Sequence, residues 1–202
     1  MKNIIGLVGT NSTESTNRQL LQYMAQHFEQ KATIELLEID QLPVFNKPEN
    51  YTVLPEVQKL VDKIEAADGV VIATPEYDHS PTAALNNALA WLSYGVYPFV
   101  NKPVMVVGAS YGTLGSSRAQ LQLLQILEAP ELQARTMPSS EFLLGNSLQA
   151  FDQEGNLVYE DKVEQLDGIF EDFLIFIEII QQLPHSKETM VKAARNFNWE
   201  NI

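Results

Sequence analysis

The residues best suited to chemistry sit in three polar stretches, each directly after an apolar run. Thr10, Ser12, Thr13, Ser15, Thr16 and Asn17 follow Ile4, Ile5, Leu7, Val8 and Gly9. Pro75, Glu76, Tyr77 and Asp78 follow GVVIAT, and the SYGTLG segment from Ser110 to Gly115 follows PVMVVGA. The first stretch leads into Leu20, Leu21 and Met24 at helical spacing, so it reads as the loop of a β-loop-α unit. The first N–H groups of a helix lack intrahelical partners and sit at the positive end of its dipole, so they favour an anion. Neutral hydroxyls and an amide crowded at that end suit a phosphate. One such residue would serve merely as a helix cap, but the crowding exceeds what a cap needs. No lysine follows a glycine here and no G-x-G-x-x-G occurs, which sets aside nucleoside-triphosphate and ordinary dinucleotide loops. The second stretch offers a proline-stiffened turn whose backbone and Tyr77 could lie beside a flat ring. The third, with Tyr111, Gly112 and Gly115, lets backbone approach a ligand closely. A planar aromatic group with a phosphate tail would touch all three.

The elements that must position these loops can be read from periodicity. Thr33–Ile39 alternates as a second strand, and Asp40–Thr52, rich in Pro and Asn, is a loop. Leu54–Ala67 has helical spacing and stops at Asp68-Gly69. Gly69–Thr74 and Pro103–Ala109 are apolar throughout, as strands covered on both faces are. Helices are predicted over Thr82–Ser93 and Ser116–Glu128, and Tyr94–Lys102 is an aromatic-bearing connection. A fifth strand falls within Gln133–Leu144 with its register open. Lys162–Leu183 reads as a long amphipathic helix with Leu166, Ile169, Phe170, Phe173, Phe176, Ile177 and Ile180 inward. Strands alternating with helices argue an α/β fold with a parallel sheet covered on both faces. In such a sheet, ligands bind beyond the carboxyl ends of the strands, where the loops after strands one, three and four lie.

The chain has 202 residues, enough for one domain with a sizeable core. We divide it into a domain over residues 1–183 and an extension over residues 184–202. Through Phe197 and Trp199 the extension would be an arm on a second subunit, or else a short helix on its own. With 26 acidic against 13 basic residues the formal charge is −13, which argues against nucleic acid and anionic membranes as partners. There are no cysteines, so thiol catalysis, disulfides and thiolate metal sites are excluded. The start carries no signal-like segment, and no run of about 18 apolar residues occurs. A cytoplasmic protein is the expectation.

Taken together the three loops resemble the NADPH-dependent FMN reductases of flavodoxin-like fold, which include azo, quinone and chromate reductases. The family's first loop reads glycine, serine, a pair ending in arginine, then a serine shortly before an asparagine, and Gly9, Thr10, Ser15 and Asn17 match it. Ser12 stands where the arginine falls. The family's PEYN appears as Pro75, Glu76, Tyr77 and Asp78, followed by Leu85, Asn87 and Trp91, while Thr82-Ala83 replaces a common proline-glycine. Its S-x-G-x-x-G appears as Ser110, Gly112 and Gly115, with Arg118 and Ala119 following. The resemblance covers residues 2 to 182. It implies a doubly wound five-stranded parallel sheet in the order 2-1-3-4-5. It implies FMN with its phosphate on Thr10–Asn17 and its ring between Pro75–Asp78 and Ser110–Gly115. It also implies ping-pong hydride transfer from NADPH or NADH to a flavin, quinone or azo acceptor, and assembly as a homodimer or homotetramer. The protein then needs no acid-base pair of its own, because the redox chemistry belongs to the cofactor. The missing arginine argues against strong selection for NADPH.

Two other readings use the same residues. Gly108-Ala109-Ser110-Tyr111-Gly112 spells G-x-S-x-G after a strand, with Asp152 and His185 following in the order of an α/β-hydrolase triad. Against it, Thr113-Leu114-Gly115 prolongs the loop and no glycine-rich oxyanion segment precedes it. A flavodoxin-type electron carrier without nicotinamide activity fits the acidic charge equally well. Glu76, Asp78 and His79 lie too close in sequence to converge on a metal, so no metal site is expected.

Overall fold

The computed structural model describes residues 1–183 and 187–196. Strand β1 (Lys2–Val8) leads to α1 (Thr16–His27), β2 (Ala32–Leu37), α2 (Pro55–Ala66) and β3 (Gly69–Ala73). The chain continues through α3 (Ala83–Leu92), β4 (Pro103–Ala109), α4 (Ser117–Leu127), β5 (Arg135–Thr136), β6 (Phe142–Leu144), α5 (Glu160–Gln181) and α6 (Lys187–Asn196). The pairings among these named strands are parallel and run β2-β1-β3-β4-β5, with β6 also paired to β4. This is the flavodoxin-like order that the resemblance implies.

Alternation along the central strands sends side chains to opposite faces, and each face carries its own core. Ile4, Val8, Val71 and Val107 pack against Leu20, Leu21 and Met24 of α1 and Phe170, Phe173 and Ile177 of α5. Ile5, Leu7, Val70, Ile72 and Val106 pack against Val57, Leu60 and Ile64 of α2, Leu89 of α3 and Leu123 of α4. In α5, Leu166, Phe170, Phe173, Ile177 and Ile180 are buried as the spacing predicts, whereas Ile169 and Phe176 are only half-buried.

The expected fifth strand is two short ones. Arg135–Thr136 pairs with Pro103–Val104, and Phe142–Leu144 pairs with Val107–Ala109. Between them Pro138 has no N–H to give a ladder, and Ser139 has φ 55°, outside the β region, so the chain leaves the sheet and returns. The sheet is therefore six-stranded. The extension is partly visible: α6 packs on its own chain, with Ala194 buried, Met190 Sδ 3.6 Å from Arg135 Nη2, and the Arg195 guanidinium 5.9 Å from the centre of the Tyr97 ring. Pro184, His185, Phe197 and Trp199 lie outside the described residues. Among the described residues no helix is long and apolar enough to cross a membrane.

Candidate functional site at the ends of three parallel strands

The end of β1 is held by backbone. Gly9 N–H donates to Ala73 O at 2.8 Å, and a Cβ at Gly9 would stand 2.5 Å from that same oxygen. Only glycine fits so close an approach. Thr82 Oγ1 donates to Gly9 O at 2.8 Å and accepts from Leu85 N–H, so the residue that caps α3 also anchors the first loop.

In that loop Ser15 is the N-cap of α1, its Oγ accepting from Arg18 N–H at 3.3 Å. The first intrahelical bond is made by Gln19 N–H to Ser15 O, so the N–H groups of Thr16 and Asn17 precede the helical ladder. The hydroxyl and amide side chains divide into two sets. Thr10, Thr16 and Asn17 are buried and spent inside the protein: Thr10 Oγ1 accepts from Ser12 N–H, and the Thr16 and Ser147 hydroxyls are 2.8 Å apart. Asn17 exchanges two 2.9 Å bonds with the backbone of Ala109. Ser12 and Ser15 line the open side, although Ser12 Oγ also donates to Glu14 O. The side chains of Thr10, Thr16 and Asn17 are thus engaged within the protein, and those of Ser12 and Ser15 border the cavity. Ser147, which completes the Thr16 pair, lies 131 positions away and carried no sequence signal.

The second loop is a tight hairpin. Tyr77 and Ser80 exchange two 3.0 Å backbone bonds, and Asp78 and His79 between them have φ 50° and 64°. Left-handed backbone at both central positions is the geometry of a type I′ turn, where Asn and Asp are the usual non-glycine choices. Asp78 in place of asparagine keeps that conformation. Glu76 points instead to the start of α4, where Oε1 accepts from Arg118 Nε at 2.6 Å and Oε2 from the N–H groups of Arg118 and Ala119 at 3.0 and 3.4 Å. Burial alone would raise the Glu76 pKa, but the bonds from Arg118 and Ala119 outweigh it and hold the carboxylate below its ordinary value. The N-cap of α4, Ser116, is left-handed and makes no side-chain capping bond, so Glu76 does that work from another loop.

The third loop is fastened to β6. Ser110 N–H donates to Leu144 O at 2.9 Å, Asn146 N–H to Gly112 O at 2.9 Å, and Ser147 N–H to Ser110 O at 3.0 Å. Gly115 has φ 57°, and a Cβ there would stand 2.6 Å from the Leu143 carbonyl carbon. Gly112 is different: a Cβ on it would meet nothing within 4 Å.

The three loops enclose one cavity of about 460 Å³, within the usual size range of small-molecule sites. Its polar end is formed by Ser12, Glu14, Ser15, Thr16 and Asn17, and its other walls by Pro75, Glu76, Tyr77, Ala109 to Leu114 and Arg118. Thr10, Asp78 and Gly115 shape the walls without lining them. A phosphorylated planar ring suits this space, with helix-start N–H groups at one end and exposed Tyr77, Tyr111 and bare Gly112 backbone at the other. The cations beside it are paired. Arg18 is bidentate to Glu38, a bond that holds its pKa above the ordinary value, and Arg118 is bonded to Glu76.

The hydrolase reading finds no support in this geometry. Ser110 Oγ donates to Gly112 O at 3.1 Å, and residues 110–116 intervene before α4, so no sharp strand-to-helix elbow presents the hydroxyl. Asp152 is an exposed turn residue accepting from Glu154 and Asn156, and His185 lies outside the described residues.

The comparisons agree with the geometry. Residues 2–149 match the family model described as NADPH-dependent FMN reductase. The chain is 52% identical over 198 residues to the NADH:(hydroxy)cinnamate reductase subunit CrdA of Vibrio ruber, covering 98% of each. It is 37% identical to NADH-dependent flavin reductase subunit 2 of Lactobacillus johnsonii, covering 89% of this chain and 99% of the relative. Among solved structures, the NAD(P)H:(acceptor) oxidoreductase FerB of Paracoccus denitrificans superposes with a TM-score of 0.79 at 28% identity, covering 88% of this chain and 98% of FerB.

Proposed function

The chain belongs to the NADPH-dependent FMN reductase family and is an FMN-dependent NAD(P)H oxidoreductase; we propose that FMN lies in the three-loop cavity and that NADH is the preferred donor. One observation carries the placement: phosphate-compatible helix-start groups and an open glycine-tyrosine wall share a single cavity. Ser12 and Ser15 hydroxyls and the N–H groups of Thr16 and Asn17 would receive the phosphate. Tyr77, Tyr111 and the Gly112 backbone would border the ring. When bound, FMN supplies the hydride acceptor and the electron donor, and the chain's own residues bind and orient it. Ser110 and Glu76 keep the two wall loops in place rather than moving protons.

Charge supports the preference for NADH. A 2′-phosphate seeks an unpaired cation, whereas the cavity lining holds Glu14, Glu76 and one arginine already bonded to Glu76. The names of two relatives specify NADH as well. The acceptor is a small molecule, and the name of the Vibrio relative adds a (hydroxy)cinnamate to the flavin, quinone and azo candidates. We place the protein in the cytoplasm as a homodimer or homotetramer; light scattering on the eluted protein reads its mass directly.

The deciding experiment loads purified protein with FMN and mixes it anaerobically with NADH or NADPH. Bleaching of the flavin absorbance, faster with NADH, supports the proposal. Aerobic turnover with a quinone, an azo dye, free flavin or a hydroxycinnamate then ranks the acceptors. Bound flavin that neither nicotinamide reduces would leave an electron carrier, and protein that takes up no FMN would remove the site.

A further inference from the structure

Arg18 does not line the cavity, yet it holds the loop that does. Its Nε and Nη2 meet Glu38 Oε1 and Oε2 at 2.7 and 2.9 Å, a planar fork-to-fork pair. The remaining Nη1 donates to two backbone carbonyls of the first loop, Ser12 O at 2.8 Å and Thr13 O at 3.1 Å. In a trans peptide the C=O of one residue and the N–H of the next point in opposite directions. Carbonyls drawn to Arg18 therefore direct the N–H groups of Thr13 and Glu14 away from it. Ser12 and Glu14 on either side of these peptides border the cavity, so N–H groups turned from Arg18 are available to a ligand held there.

Resting on the proposed placement of FMN, we infer that Arg18 is a positioning residue for its phosphate, acting through the loop backbone, and that Glu38 at the end of β2 locks it in that role. The guanidinium charge is already met by Glu38, so its contribution is the geometry of its fork. This accounts for a phosphate loop with Ser12 in place of arginine in a chain of net charge −13. The cation stands behind the loop, and the loop presents dipoles in front. Lysine cannot span two carboxylate oxygens and two carbonyls with a rigid plane.

FMN and riboflavin differ only in the phosphate, so their affinities separate this role from general damage to the fold. Fluorescence titrations of wild type, Arg18→Ala, Arg18→Lys and Glu38→Gln with each flavin make the test. All three variants are expected to lose about tenfold in FMN affinity, the scale of one charge-assisted hydrogen bond, with riboflavin affinity within about twofold of wild type. Unchanged FMN affinity in Arg18→Ala and Arg18→Lys overturns the inference, as does an equal loss for both flavins. Full retention in Arg18→Lys alone also overturns it, since charge rather than the fork would then suffice. If Arg18→Ala does not fold, the two bulk-preserving variants decide by the same criteria. Wild-type protein that binds neither flavin refutes the proposed site itself, a result distinct from variants that match a flavin-binding wild type.

Discussion

Asn17 and Ala109 exchange both of their hydrogen-bonding groups: Nδ2 donates to Ala109 O and Ala109 N–H donates to Oδ1, each at 2.9 Å and fully buried. The start of α1 is thereby locked to the last residue of β4, and the polar end of the cavity is fixed relative to the Ser110–Gly115 loop. Asn17→Ala strands a donor and an acceptor together, at a cost of about 2–4 kcal/mol. Asn17→Asp keeps the acceptor for Ala109 N–H but sets a buried carboxylate oxygen against Ala109 O, where two acceptors repel. We therefore expect both variants to melt lower without flavin and both to bind FMN more weakly. A flavin-free melting temperature equal to wild type in Asn17→Ala would show that the pair contributes nothing.

Glu76 gives the acid dependence. Its folded pKa lies below its unfolded one, so its stabilisation is complete above the ordinary glutamate value of about 4.3 and is lost as the pH falls through the lower folded value. Glu76→Gln should lower stability at neutral pH and flatten the acid limb of the stability curve below about pH 4.5. Denaturation titrated from pH 7 downward checks this. Parallel acid limbs in wild type and variant would mean that the bond to Arg118 carries no linkage.

How far these contacts were legible in the sequence depends on their range. Strand and helix positions are legible in the apolar runs Ile4–Val8 and Gly69–Thr74 and in the helical spacing of Lys162–Leu183, because burial on a sheet face or helix stripe acts on neighbouring residues, whereas the strand order rests on the family resemblance. The divided fifth strand was not legible, since Phe142–Leu144 is set by its pairing with Val107–Ala109 and not by its own pattern. The three loops were found because a turn, a helix cap and a close backbone approach each demand particular residue types. The roles inside them were not, because Thr16–Ser147, Asn17–Ala109 and Glu76–Arg118 join positions far apart in sequence. Asn17 reads as a phosphate ligand in the sequence; its side-chain amide is bonded to Ala109, which leaves its backbone N–H for that part.

The Thr16–Ser147 pair tests a contact that only the fold reveals. Thr16→Val keeps the shape but leaves Ser147 Oγ buried without its hydroxyl partner, and Ser147→Ala does the converse. Each should cost about 1–2 kcal/mol, while the double variant should cost less than the sum of the two. Additive losses in chemical denaturation would show the hydroxyls to be energetically independent.

Two glycines of one loop should respond in opposite ways. At Gly115 a methyl group meets the Leu143 backbone at 2.6 Å from a left-handed residue, so Gly115→Ala should destabilise the flavin-free protein by about 2 kcal/mol or more. At Gly112 a methyl group meets no protein atom within 4 Å and projects into open space at the cavity wall. Gly112→Ala should leave the flavin-free melting temperature within about a degree of wild type, as surface substitutions away from special features do. It should nonetheless weaken FMN and riboflavin alike, because the obstruction lies at the ring end and not at the phosphate. Its signature is the reverse of the one expected for Arg18→Ala. If Gly112→Ala binds both flavins as wild type does, the ring does not pass against the Ser110–Gly115 loop, and the cavity wall formed by Tyr77 becomes the surface to probe next.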